Sequence, residues 1–110
     1  MRRMTAMMTL AIVVCGPVIA ETASRAAWDA CLRDQAVALD DGQSDARTIA
    51  MGVLAACQPK LVTWLKAMEP KAREDLIYKA IARNRDDHLD GVVGLVLTAR
   101  REKRNQPPKP

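Results

Sequence analysis

Apolar positions along this chain recur at intervals of three and four residues, the period of a helix with one buried face. From Trp28, the positions Cys31, Leu32, Gln35, Ala36 and Leu39 fall at +3, +4, +7, +8 and +11, while Arg25, Asp29, Arg33 and Asp40 lie mostly off that face. Thr22 or Ser24 is suited to cap this helix. Asp40-Asp41-Gly42 ends it, with Gly42 fit for a left-handed turn. Ser44 then reads as the N-cap of a second helix, with Asp45 in its positive first turn. Ala46, Ile49, Ala50, Val53 and Cys57 form its stripe, which Leu54 widens.

Pro59 is placed to open a third helix, since proline favours a first turn, and Leu61, Trp64, Leu65 and Met68 follow at helical spacing. Glu69-Pro70 interrupts, and Pro70 reads as another first-turn proline. A further helix is predicted over about 71–83, with Leu76, Ile77, Ala80 and Ile81 inward and Glu74 and Asp75 set against Tyr78 and Lys79 on an exposed face. The polar run 84–87 reads as a turn in which Asp86 or Asp87 caps a last helix bearing Leu89, Val92, Val93, Val96 and Leu97. Gly91 and Gly94 lower helix propensity there and would allow a close neighbour. No repeat and no strand pattern with turn chemistry around it is visible. The pattern predicts a single all-α domain over 21–104, a small bundle of four or five short helices. The segment 105–110 holds three prolines and no apolar side chain, and reads as a disordered tail.

The cysteines sharpen this picture. Beyond the first twenty residues only Cys31 and Cys57 remain, each on an apolar stripe of one of the first two helices. A short turn makes those helices antiparallel. Cys31 is early in one and Cys57 is at the end of the other, so they fall level, and a disulfide between them is predicted by both count and register. In the chain-entropy view it contributes roughly 3–4 kcal/mol, a large share of the about 5–10 kcal/mol that holds a small domain together. A redox-active pair would place its cysteines close in sequence, as in C-x-x-C; the wide spacing here is that of a staple.

The first twenty residues read as an address. Arg2 and Arg3 make a charged start, Met7 to Ala20 is apolar or neutral apart from a break at Gly16-Pro17, and Val18-Ile19-Ala20 precedes Glu21. This is the layout of a secretory signal peptide cleaved after Ala20, which sends the mature chain to the periplasm or outside, where paired cysteines oxidise. An uncleaved segment anchoring the chain in a membrane is the alternative, although the unbroken apolar run falls short of the roughly 20 residues of a span. Lipidation at Cys15 is a third option, set against the bulk of Val14 before it.

Composition adds limits. In 110 residues, 49% are hydrophobic but only 3% aromatic, without Phe, so the core is aliphatic around Trp28 and Trp64. The formal charge of +4 hides an asymmetry: 21–59 carries three basic and six acidic residues, whereas 60–110 carries twelve and seven. Without Arg2 and Arg3 the mature chain is near neutral, so the basic isoelectric point does not argue for nucleic acid as a partner.

Candidate chemistry is sparse, and no cofactor is implied. Asp86-Asp87-His88-Leu89-Asp90-Gly91 places Asp86, His88 and Asp90 at the first, third and fifth positions of a calcium-type loop, but Leu97 stands where a bidentate Glu is needed. These three residues are the candidate metal ligands, against the plainer reading of a helix start rich in carboxylates. His88 is the only histidine, so a minor enzyme would centre on it. No G-x-S-x-G, H-E-x-x-H or glycine-rich phosphate loop is present, and nothing singles out a catalytic pair among the carboxylates. Trp28 and Trp64 read as core rather than as a stacking platform. Arg100, Arg101, Lys103 and Arg104 form a basic cluster at the cationic end of the last helix, able to meet an anionic membrane surface and otherwise simply solvated.

The order Trp28-x-x-Cys31-Leu32, Gly42 turn, Cys57, Trp64 resembles a loose class of small, mostly uncharacterised exported all-helical proteobacterial proteins with one cysteine pair. The resemblance covers residues 1–68 and implies export and helical content, but no activity. Size, export and a single disulfide are also architectural features of periplasmic acid-stress chaperones, without a shared motif. The leading functional expectation is a non-enzymatic exported protein acting by protein–protein contact in the cell envelope. The alternatives are a stress-type holdase and a metal binder or minor enzyme centred on His88.

Overall fold

The computed structural model describes residues 16–107. Most of the expected leader, including Cys15, and the last three residues of the expected tail lie outside that range. Four helices follow one another, α1 (Gly16–Ala38), α2 (Ala46–Met68), α3 (Glu74–Arg83) and α4 (Arg85–Asn105), and no strand occurs among the described residues. The chain is all-α.

α1 starts earlier than its pattern predicts. Gly16-Pro17 begins the helix instead of breaking it, because proline's missing N–H is harmless in a first turn. Thr22 and Ser24 are thus interior residues, not caps, and the Ser24 hydroxyl donates to the Ala20 carbonyl one turn back, at 2.7 Å. After Ala38 the chain turns through a loop in which Gly42 takes the left-handed conformation, φ +73°. The Gly42 N–H donates to Asp40 Oδ1 at 3.0 Å, and Asp41 accepts from the Gln43 and Ser44 N–H groups and from the Ser44 hydroxyl. Ser44 is therefore occupied by Asp41. The N-cap of α2 is Asp45, whose carboxylate accepts from the Thr48 N–H at 2.7 Å.

α2 runs unbroken through Pro59, so what the pattern divides into two helices is one. Proline removes the bond that its N–H would give to the Ala55 carbonyl. Both Pro59 and Ala55 are exposed, so the freed carbonyl meets water. One continuous stripe, Val53, Cys57 and Leu61, is buried on either side of the proline and holds the helix to its neighbours. α2 is also the one described helix long and apolar enough to cross a membrane. Here its apolar stripe is covered by α1 and α4.

The core forms along α2. Leu32 and Ala36 come from α1, Ile49, Ala50, Val53, Cys57 and Leu61 from α2, and Leu89, Val92 and Val96 from α4. Cys31 and Cys57 lie at disulfide distance, their Cα atoms 5.9 Å apart, joining positions 26 residues apart in sequence. Cys57 is mid-helix in the longer α2, yet remains level with Cys31.

α3 is peripheral. It starts at Glu74, three residues later than expected, and Pro70 sits in the preceding turn. Its buried ridge is narrow: Ile77 is enclosed and Ile81 half-buried, while Leu76 is exposed, one position and thus about 100° around the helix from Ile77. The same rotation leaves Leu97 exposed beside the enclosed Val96, and Leu39 lies partly open just past the end of α1. Between α3 and α4 only Asn84 is a turn, and it is the N-cap residue; Asp86 and Asp87 sit inside the first turn of α4. Gly91 and Gly94 have nothing among the described residues within 4 Å of an added Cβ, so no close neighbour there explains them.

Candidate functional site

Three arrangements are assembled from residues distant in sequence. The first is an aromatic column. The Arg25 guanidinium of α1 lies 5.5 Å from the ring centroid of Trp64 on α2. Trp64 stacks on Trp28 of α1 at 5.3 Å, and Trp28 meets the edge of His88 on α4 at 5.2 Å. Both tryptophans serve as packing: Trp28 is buried, and Trp64 is half-buried with its indole Nε1–H enclosed without an acceptor among the described residues.

The second is a polar clasp at the α1–α2 loop. Arg100 of α4 reaches back to Asp40 with two parallel bonds, Nε to Oδ2 at 2.9 Å and Nη2 to Oδ1 at 2.8 Å, and Nη2 also donates to the Ser44 carbonyl. The two side chains are only 25% and 12% exposed. The Arg100 guanidinium, followed by the Gly42 N–H, holds Asp40 at about 2 against an ordinary 3.8. Hydrogen bonds from the Ser44 side chain and then the Ser44 and Gln43 N–H groups hold Asp41 at about 2. The Thr48 N–H lowers Asp45, and Asp40 in turn raises Arg100. Arg100 thus departs from the predicted surface cluster and turns inward. Arg101, Lys103 and Arg104 remain exposed on the last turns of α4.

The third is a groove of about 320 Å³ between α2, α3 and α4. Leu61 and Leu89 are its buried floor, and Leu54 and Ile81 are half-buried walls. Met51 and Tyr78, 48% and 45% exposed, stand on its lining, and Gln58, Arg85 and His88 add its polar groups. His88 therefore belongs to both the groove and the aromatic column.

The candidate metal ligands are not brought together. Asp86, His88 and Asp90 occupy alternate positions of a helix instead of a loop. Residues two apart point to opposite sides of a helix. Asp86 and Asp90 are exposed, while the half-buried His88 is turned to Trp28 and the groove. Among the described residues no group of three or more His, Cys, Asp or Glu side chains converges closely enough to hold a metal ion.

Two of the three arrangements carried no local signal. Asp40 and Arg100 are 60 residues apart, and nothing near either marks the other as its partner. The groove exists only because α3 folds back beside α2. Its members are legible one by one, Tyr78 on an exposed face and Leu54, Leu61, Ile81 and Leu89 on apolar stripes, but no local pattern brings them together.

Comparison with known protein families, with curated proteins and with solved structures gives no match for this chain.

Proposed function

We propose that this is a non-enzymatic, exported helical protein that works by protein–protein contact in the cell envelope, through the groove between α2, α3 and α4. The observation that carries this reading is the open apolar groove itself. It is a recess with a buried leucine floor, rimmed by an exposed methionine and an exposed tyrosine. Methionine and tyrosine are enriched where proteins meet other proteins, because both offer large contact area with an adaptable or amphipathic surface.

The export half of the proposal draws on the charged-then-apolar start of the sequence and on the cysteine pair held at bonding distance. Cleavage after Ala20 would leave α1 beginning at Glu21, with its core-facing residues Trp28, Leu32 and Ala36 all retained. The disulfide would then join the first two helices of the mature domain, in a compartment where it persists. Membership of the loose class of exported helical proteins belongs to the same proposal.

The test is a photo-crosslinking amino acid at Tyr78, activated in intact cells. The reading expects a discrete protein adduct in the envelope fraction that disappears when Ile81→Asp puts a charge in the groove wall. Adducts that persist with Ile81→Asp, or the absence of any protein adduct, would contradict it. The holdase alternative needs apolar surface to open on acidification. The clasp lends it little support, since Asp40 and Asp41 at about 2 stay ionised well below pH 4. Dye binding that does not rise between pH 7 and pH 3 would remove that alternative.

A further inference from the structure

We infer that the groove receives one face of a helix from a partner protein, and that this helix carries a carboxylate where it passes Arg85. This rests on the proposed contact function and names the chemistry of what is contacted.

Three observations converge. The first is length. The α2 wall runs from Met51 to Leu61, which at 1.5 Å per residue is about 15 Å. The anchors i, i+4 and i+7 of a partner helix span about 10.5 Å, so they fit within that length, and this is the usual way an amphipathic helix lies in an apolar groove. A volume of about 320 Å³ suits a few aliphatic side chains entering from one side.

The second is openness. Met51 and Tyr78 are each nearly half exposed, so a small amphiphile lying along the groove would remain largely in water. Small-molecule sites enclose about 70–90% of their ligand. A helix brings its own polar face to the solvent and needs only its apolar face covered.

The third is charge. Among the described residues, Arg85 is the one full charge on the lining, and no Asp or Glu lines the groove. Arg85 takes part in none of the ion pairs formed among the described residues. His88 lies one turn further along the same face, and Asp86 and Asp87 follow Arg85 on α4 without lining the groove. A carboxylate on the incoming helix would find a guanidinium fork not already committed to an acid of this chain.

The test uses the purified oxidised protein and two synthetic capped peptides of about 16 residues, long enough to form helix alone. Each has leucines at i, i+4 and i+7, and they differ in one flanking residue, Glu or Lys. Because His88 lines the groove and touches Trp28, tryptophan emission reports occupancy. The Glu peptide is expected to bind about tenfold more tightly than the Lys peptide. Arg85→Glu, an exposed change that spares the core, is expected to reverse that order. Tyr78→Asp on the rim should weaken both peptides. Equal affinities, an unreversed order, or no binding of either peptide would overturn the inference. So would laurate binding with the same Arg85 dependence while neither peptide binds. If the Tyr78 crosslink still captures an Ile81-dependent partner while the peptides fail, the contact function stands and only the carboxylate-bearing helix is lost.

Discussion

Asp40 and Arg100 join the α1–α2 loop to α4 across 60 residues of sequence, and their pairing sets how the fold responds to acid. Asp40 and Asp41 sit at about 2 in the folded protein, below their ordinary 3.8. In the window between those values the unfolded chain binds more protons than the folded one, so stability rises with pH there. Their contribution is complete above about pH 4 and is lost as the pH falls through 2. Urea unfolding midpoints should therefore be level from pH 7 to about 4 and drop below it, and Asp40→Asn should shrink that drop. An unchanged acid limb in Asp40→Asn would show that the clasp does not govern it. Arg100→Ala should destabilise more than Arg101→Ala, because only Arg100 gives two bonds to the Asp40 carboxylate and one to the Ser44 carbonyl. A second residue-level test concerns Trp64, whose enclosed Nε1–H has no acceptor among the described residues. An unsatisfied buried donor costs about 1–3 kcal/mol. Trp64→Phe keeps an aromatic ring against Trp28 and removes that donor, so its unfolding free energy should stay within about 1 kcal/mol of the parent, whereas Trp28→Ala should lose about 3–5 kcal/mol.

At the scale of the elements, the buried stripes were legible and the boundaries less so. The spacing from Trp28 to Ala36 and from Ile49 to Cys57 gives the faces that α1 and α2 bury. The sequence misleads at its prolines. Gly16-Pro17 and Pro59 read as a break and a start, yet one opens α1 and the other lies inside α2. Local propensity is outweighed at Pro59 by burial on both sides of it, and the missing bond falls on the solvent side, which no local pattern reveals. Caps shifted for a related reason. Ser44 and Asp45 are both good cap residues, and the choice depends on Asp41 engaging Ser44 first. Pro59→Ala should restore the helical bond and raise stability by about 1–3 kcal/mol in denaturant unfolding; a loss of stability would mean that the proline has a role in the fold. Gly91→Ala and Gly94→Ala, which meet nothing among the described residues, should each add about 1 kcal/mol, and a loss at either would point to a neighbour that packs there.

For the whole molecule, all-helical architecture and the cysteine pair could be read from periodicity and count, because both depend on residues close to the helical repeat or few in number. The groove and the clasp could not, since each is made by elements that meet only after the chain folds back. α3 contributes a single enclosed side chain, Ile77, so the groove it walls is the part of the fold with the least packing behind it. The α1–α2 pair is the opposite case, joined by the central stripe and by Cys31 and Cys57. If export oxidises that pair, the loop it closes should contribute about 3–4 kcal/mol. The most direct test is urea unfolding of the protein isolated without reductant, measured with and without added reductant. Reduction should lower the unfolding free energy by about 3–4 kcal/mol; superimposable curves would contradict the claim that a covalent tie between α1 and α2 holds this domain together.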